Sequence, residues 1–124
     1  MVVLDTCCLI ELCKIRPSVS DSVRQRIEKG AVVLSVSFAE IALKLKKKRL
    51  DINLTGEELY RSYREIPEIQ IVDIGCPEWF DAINLNWRHQ DPADRLIVGY
   101  AKRMNFPIVT TDRGIKKFHV EVLW

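Results

Sequence analysis

The sequence predicts a single α/β domain, residues 1–124, built on a mostly parallel sheet with helices on both faces. Short β-branched runs alternate with longer helix-like segments along the chain. Several of the runs are nearly all apolar, as strands buried on both sides are. A length of 124 residues, 48% of them hydrophobic, suits one domain with a sizeable core, and excludes intrinsic disorder.

Each element has a local reason. Val2-Val3-Leu4 reads as the first strand, with a helix over 6–13 behind it. A helix over 18–29 takes Ser18 or Ser20 as its N-cap and stops at Gly30. VVLSV at 32–36 is the second strand, and Ser37 is the expected cap of a helix over 37–48. Thr55 caps a helix over 55–65, IQIVDI at 69–74 is the third strand, and Pro77 opens a helix over 77–85. Asp91 and Pro92 start a helix over 92–104 that Asn105 ends. PIVTT at 107–111 and VEVLW at 120–124 supply the last two strands. No repeat, low-complexity tract or Gly/Ser-rich linker interrupts the pattern.

Nineteen Lys and Arg face 17 Asp and Glu, a formal net charge of +2, too small to announce a nucleic-acid binder. Cys7, Cys8, Cys13 and Cys76 lack the spacing of a disulfide or zinc framework, and the first three sit in an apolar stretch as small buried thiols. Asp5 breaks the opening apolar run at once, so no secretory segment or membrane span is expected there. A reducing, cytoplasmic setting follows from these features.

In open α/β sheets, sites gather at the carboxyl ends of the strands. Asp5 directly follows the first strand and Asp112 directly follows PIVTT. Glu40 lies early in the helix after the second strand, and Asp94 in the first turn of the helix that leads into PIVTT. Each acid has a plain structural account: Asp5 as a helix cap, Asp91 and Asp94 as servants of a helix terminus, Asp112 with Gly114 as a turn. Glu40 points away from the apolar face of Phe38, Ile41, Ala42 and Leu45, where it pairs with Lys44 for roughly 0.2–0.5 kcal/mol. Four such acids converging on one sheet end favour a site. Carboxylates held close repel unless a hard cation such as Mg²⁺ or Mn²⁺ joins them, and such a cluster suits phosphodiester hydrolysis. A glycine-rich phosphate loop, a G-x-S-x-G elbow and an H-E-x-x-H pair are all missing. His89 and His119 are the only histidines, and His89 reads as a surface or hydrogen-bonded structural residue.

The residues also resemble a known family end to end. VVLDTCCLIEL, LSVSFAEIALKLKKKRLDI, WRHQDPADRLIVGYAKRMNFPIVTTD and the closing VEVLW are similar to the corresponding stretches of PIN-domain proteins, most closely the VapC-type toxins of toxin–antitoxin pairs. The resemblance implies a PIN fold and carries the family's acidic quartet onto Asp5, Glu40, Asp94 and Asp112. It implies Mg²⁺ or Mn²⁺ dependence, cleavage of RNA, a homodimer, and a cognate antitoxin. Asp5 and Asp94 become the principal metal ligands, completed by Glu40 and Asp112. Thr6, Asp91 and Arg95 become supporting or substrate-positioning residues. Family members usually carry Asn where this chain has Cys7, a supporting polar position near the site.

The run KLKKKR at 44–49 places five cations without an acid at a helix end, which the helix dipole alone would favour. Lys44, Lys47, Lys48 and Arg49 are also candidates for sequence-independent contact with an RNA backbone. Trp79, Phe80 and Trp87 crowd a short helix and suggest a partner surface, with at least one of them in the core. Two other readings stand beside the ribonuclease. One is a PIN-fold RNA-binding or regulatory subunit without catalysis. The other is a receiver-like phospho-aspartate module, which needs an acidic pair after the first strand, where this chain has Asp5-Thr6.

Overall fold

The computed structural model describes residues 1–119 and 121–124. Five strands form one sheet in the order β3-β2-β1-β4-β5, every neighbouring pair parallel. The strands are β1 (Val2–Leu4), β2 (Ala31–Leu34), β3 (Ile69–Val72), β4 (Ile108–Val109) and β5 (Val122–Leu123). The sheet is therefore wholly parallel. The helices are α1 (Thr6–Leu12), α2 (Asp21–Glu28), α3 (Ser35–Lys46), α4 (Gly56–Arg64), α5 (Cys76–Ile83), α6 (Pro92–Met104) and α7 (Arg113–Phe118).

Alternation along the strands feeds two cores. Val2, Leu4, Ala31 and Val33 pack with Leu9, Val23, Phe38, Ile41 and Leu59 on one face. Val3, Val32, Leu34 and Ile108 pack with Ala82, Leu96, Ile97 and Ile115 on the other. A period-2 strand with helices on both sides buries every residue, which is why β1 and β2 carry no polar position. On the second face α6 lies close against α5 because residue 99 is glycine. A Cβ there would stand 2.9 Å from the Ala82 nitrogen and the Asp81 carbonyl carbon.

Sheet order reverses between β1 and β4, the switch point at which α/β sheets leave a crevice beyond the strand ends. The same order argues against the receiver-like alternative, whose sheet runs 2-1-3-4-5.

Several boundaries differ from expectation for identifiable reasons. Ser20 caps α2, while the Ser18 backbone N–H is taken by Glu11 Oε1 at 2.8 Å. Ser37 is not a cap: α3 starts at Ser35, and Ser37 is buried in its first turn against Thr6. Ser35 Oγ likewise accepts from the Ile74 N–H at 3.1 Å, so both serines bond across the fold. Asp112 and Gly114, expected as a turn, instead open α7, with Asp112 as its N-cap accepting from the Ile115 N–H. The Asn105 stop is a left-handed residue (φ 57°, ψ 43°), and Gly30 stands at φ 135°. The strand expected over 120–124 is seen as Val122–Leu123, and Val120 lies outside the described residues.

Trp79 and Phe80 are exposed on α5 together with Ile83, whereas Trp87 packs against the second core. Among the described residues no helix is long and apolar enough to cross a membrane.

Candidate active site

Asp5 is where β1 ends and α1 begins. It caps α1, accepting the Thr6 N–H at 2.7 Å on Oδ1. Its other oxygen accepts from the Thr110 hydroxyl at 2.5 Å and from the Cys7 thiol at 3.5 Å. The residue is only 5% exposed, and burial pushes its pKa up against the pull of these hydrogen bonds, with the charge of Glu40 adding to the rise. Burial and the Asp5 charge together push the Cys7 thiol up as well, so sulfur keeps its proton and donates.

Thr110 ties the two central strands together. Its hydroxyl donates to Asp5 and accepts the Asp112 N–H at 3.0 Å, which fixes the chain as it turns from β4 into α7. Thr6 reaches the other way, donating to Ser37 Oγ at 3.0 Å and docking α1 on α3. Glu40 follows Ser37 by three residues, so the face that bonds to Thr6 also carries Glu40 toward the strand ends. The expected Glu40–Lys44 pair forms at 3.6 Å.

Asp94 sits in the first turn of α6, its backbone N–H capped by Asp91 Oδ1 at 3.0 Å. Its Oδ2 lies 2.6 Å from His89 Nε2. Burial raises its pKa to about 6, the His89 hydrogen bond opposes the rise, and the charges of Asp91, Asp5 and Asp112 add to it.

One cavity of about 250 Å³ collects these groups: Asp5, Thr6, Cys7, Glu40, Lys44, Asp91, Asp94, Thr111 and Asp112 line it. All four acids singled out in the sequence therefore meet, with Thr6, Asp91 and Lys44 beside them. Lys47, Lys48 and Arg49 do not line it; they stand exposed where α3 ends. Of the two roles expected of Arg95, supporting or substrate-positioning, its contacts are of the supporting kind, because its guanidinium is committed to the main chain. It donates to the carbonyls of Ala82, Leu85, Trp87 and His89 at 2.6–3.1 Å. Thr110, Ser37 and His89 are the contributors that sequence reasoning missed. A Thr two residues before the terminal Asp, and a His five residues before Asp94, were the only visible signals.

The donor set is made of carboxylate oxygens, which suits a hard divalent cation. Among the described residues no three such side chains stand close enough to form a ready cage. A divalent cation would offset the like charges of Asp91, Asp5 and Asp112 that add to the burial-driven rise at Asp94. By the chemistry of their donor atoms, Asp5, Asp94, Glu40 and Asp112 would suit such an ion.

No curated protein sequence matches the chain. Solved structures share its fold, three of them as follows. A chain of VapBC2 from Rickettsia felis, bound to a DNA fragment from its promoter, aligns with TM-score 0.69 and 16% identity, over 98% of this chain and 97% of that one. A chain of FitAcB from Neisseria gonorrhoeae gives TM-score 0.67 and 18% identity, over 100% and 97%. A chain of a toxin–antitoxin complex from Klebsiella pneumoniae gives 0.62 and 16%, over 93% and 90%. At such identities the likeness is one of fold. The PIN domain family model matches residues 2–120, and with the parallel sheet and the acids at its switch point it identifies the chain as a member of the PIN domain family.

Proposed function

We propose that this chain is a Mg²⁺- or Mn²⁺-dependent endoribonuclease, the toxin of a type II toxin–antitoxin pair. The observation that carries the reading is the meeting of Asp5, Glu40, Asp94 and Asp112 around one cavity at the strand ends in a PIN domain. A divalent ion bound there supplies an activated water and offsets charge developing on the phosphate.

The protein's own groups have separate tasks. Asp5 and Asp94 are the principal ligands, Asp5 pre-set by its three hydrogen bonds. Glu40 and Asp112 complete the acidic wall and accept hydrogen bonds from water at the site. Lys44 is the cation at the cavity, held on Glu40. It is free to turn to an incoming phosphate once Glu40 is otherwise neutralised. Lys47, Lys48 and Arg49 extend that positive edge along an RNA backbone, a contact that weakens with salt. The similarity to a chain of a toxin–antitoxin complex, together with the family resemblance, supports a cognate antitoxin as partner. The exposed Trp79, Phe80 and Ile83 offer unpartnered apolar surface for the homodimer the family resemblance implies. A cytoplasmic location follows from the same role.

The purified chain with Mn²⁺ is expected to cleave RNA. Asp5→Asn and Asp94→Asn should each lower cleavage more than about 100-fold, beyond what changes around a metal site's ligands usually cost. Undiminished cleavage in both variants would sink the assignment, and binding of RNA without turnover would favour a regulatory PIN subunit.

A further inference from the structure

His89 lies outside the acidic quartet, yet its ring reaches the site. Its Nε2 is 2.6 Å from Asp94 Oδ2, and against an ionised carboxylate, which only accepts, that nitrogen is the donor. The contact is built from two sides. The His89 ring stacks on Trp87 (centroids 4.5 Å apart, planes at 23°), and Trp87 stacks in turn on Phe118 (4.9 Å, 14°). Arg95, the residue after Asp94, donates to the His89 carbonyl at 2.9 Å and the Trp87 carbonyl at 2.6 Å. One turn of α6 thus carries the acid and grips the backbone that brings the ring to it. Asp94 Oδ1 has no hydrogen-bond partner among the described residues, and the side chain lines the cavity.

We propose that His89 is a positioning residue for the metal site: its Nε2–H holds Asp94 Oδ2 so that Oδ1 is presented to a divalent ion in the cavity. This rests on the metal-dependent reading above and adds to it the group that orients one ligand. A histidine packed only for stability would leave ion affinity untouched. A hydrogen bond that orients a ligand is typically worth 10–100-fold in that affinity.

The test is calorimetric titration of the full chain with Mn²⁺ at neutral pH, beside thermal melts. His89→Phe keeps a ring on Trp87 and deletes the donor. His89→Ala deletes the donor a second way, should phenylalanine disturb the fold. His89→Gln restores an N–H at a similar reach. Variants without the donor are expected to bind Mn²⁺ about tenfold more weakly, with His89→Gln close to wild type. Equal affinity in wild type and His89→Phe would overturn the proposal, and so would a loss in His89→Gln as large as in His89→Phe. A wild-type chain that binds no Mn²⁺ would overturn the metal reading itself. That failure is distinct from a wild type that binds the ion and is indifferent to residue 89.

Discussion

Asp5 and Asp94 line one cavity, but the protein holds them in opposite ways. Asp5 is buried between two strands and receives hydrogen bonds from Thr6, Thr110 and Cys7, so its orientation is part of how β1, β4 and α1 fit together. Asp94 stands on the rim of α6, its side chain 17% exposed and held by His89. Both carboxyls are raised by burial. Only at Asp94 is that rise uncoupled from the packing of the sheet. One acid is built into the fold and the other is delivered to it, which makes their contributions to stability separable from the shared part in the chemistry proposed for them.

The largest expected effect separates them on stability. Asp5→Ala removes the α1 cap, worth roughly 0.5–2 kcal/mol, and leaves the buried Thr110 hydroxyl without its acceptor, a further cost of about 1–3 kcal/mol. Removing the buried charge gives part of this back, so a net loss of about 1–4 kcal/mol is expected in chemical denaturation at neutral pH, a large share of a typical domain's stability. Asp94→Asn keeps an acceptor for His89 and should lose no stability there, gaining slightly instead. Equal losses in the two variants would break the comparison.

How much of this contrast could be read from the sequence follows from the range of the forces involved. Asp5, Asp94 and Asp112 are legible because strand ends and helix starts are local patterns, and parallel topology then gathers them. Glu40 is legible only jointly with the others, since its pairing with Lys44 looks like any surface pair. The hydrogen bonds that make Asp5 rigid are not legible: Thr110 lies 105 residues away along the chain, and Ser37 lies 31 residues from Thr6. Ser37 looks like a helix cap in sequence because capping is a local signal and its bond to Thr6 is not. Helix α7 escapes for a different reason. Its six residues, Arg113–Phe118, contain only Ile115 and Phe118 as apolar positions, too few to show a helical period.

A second, smaller effect concerns pH. The folded-state pKa of Asp94 is about 6, above the roughly 3.9 of an unfolded chain. A raised carboxyl stabilises the fold fully below about pH 4, and this contribution is lost as pH rises through about 6. Asp94→Asn lacks the penalty of holding the charge. The variant should therefore match wild type near pH 4 and exceed it near pH 7, by about 1 kcal/mol once solvent screening of this half-buried group is allowed for. Metal-free denaturation curves across that interval test it. A difference that stays constant with pH would mean the Asp94 corner is as rigidly committed to the fold as Asp5.

The smallest expected effect tests whether the Asp5 corner is already saturated. Cys7 stands where the family resemblance expects Asn, and its thiol is a weak donor at 3.5 Å from Asp5 Oδ2. The residue is half-buried and faces the cavity, so a longer side chain has room. In Cys7→Asn an amide N–H replaces the thiol, a gain of about 0.5–1 kcal/mol at most, and the stronger hydrogen bond lowers the Asp5 pKa. Asp5 keeps its bonds from Thr6 and Thr110 in either case. Mn²⁺ affinity, measured by calorimetry, should therefore rise by no more than about fivefold, the equivalent of that energy. A larger gain would show that the thiol leaves Asp5 under-held. The contrast with Asp94 would then be one of degree, set by a single residue of this chain.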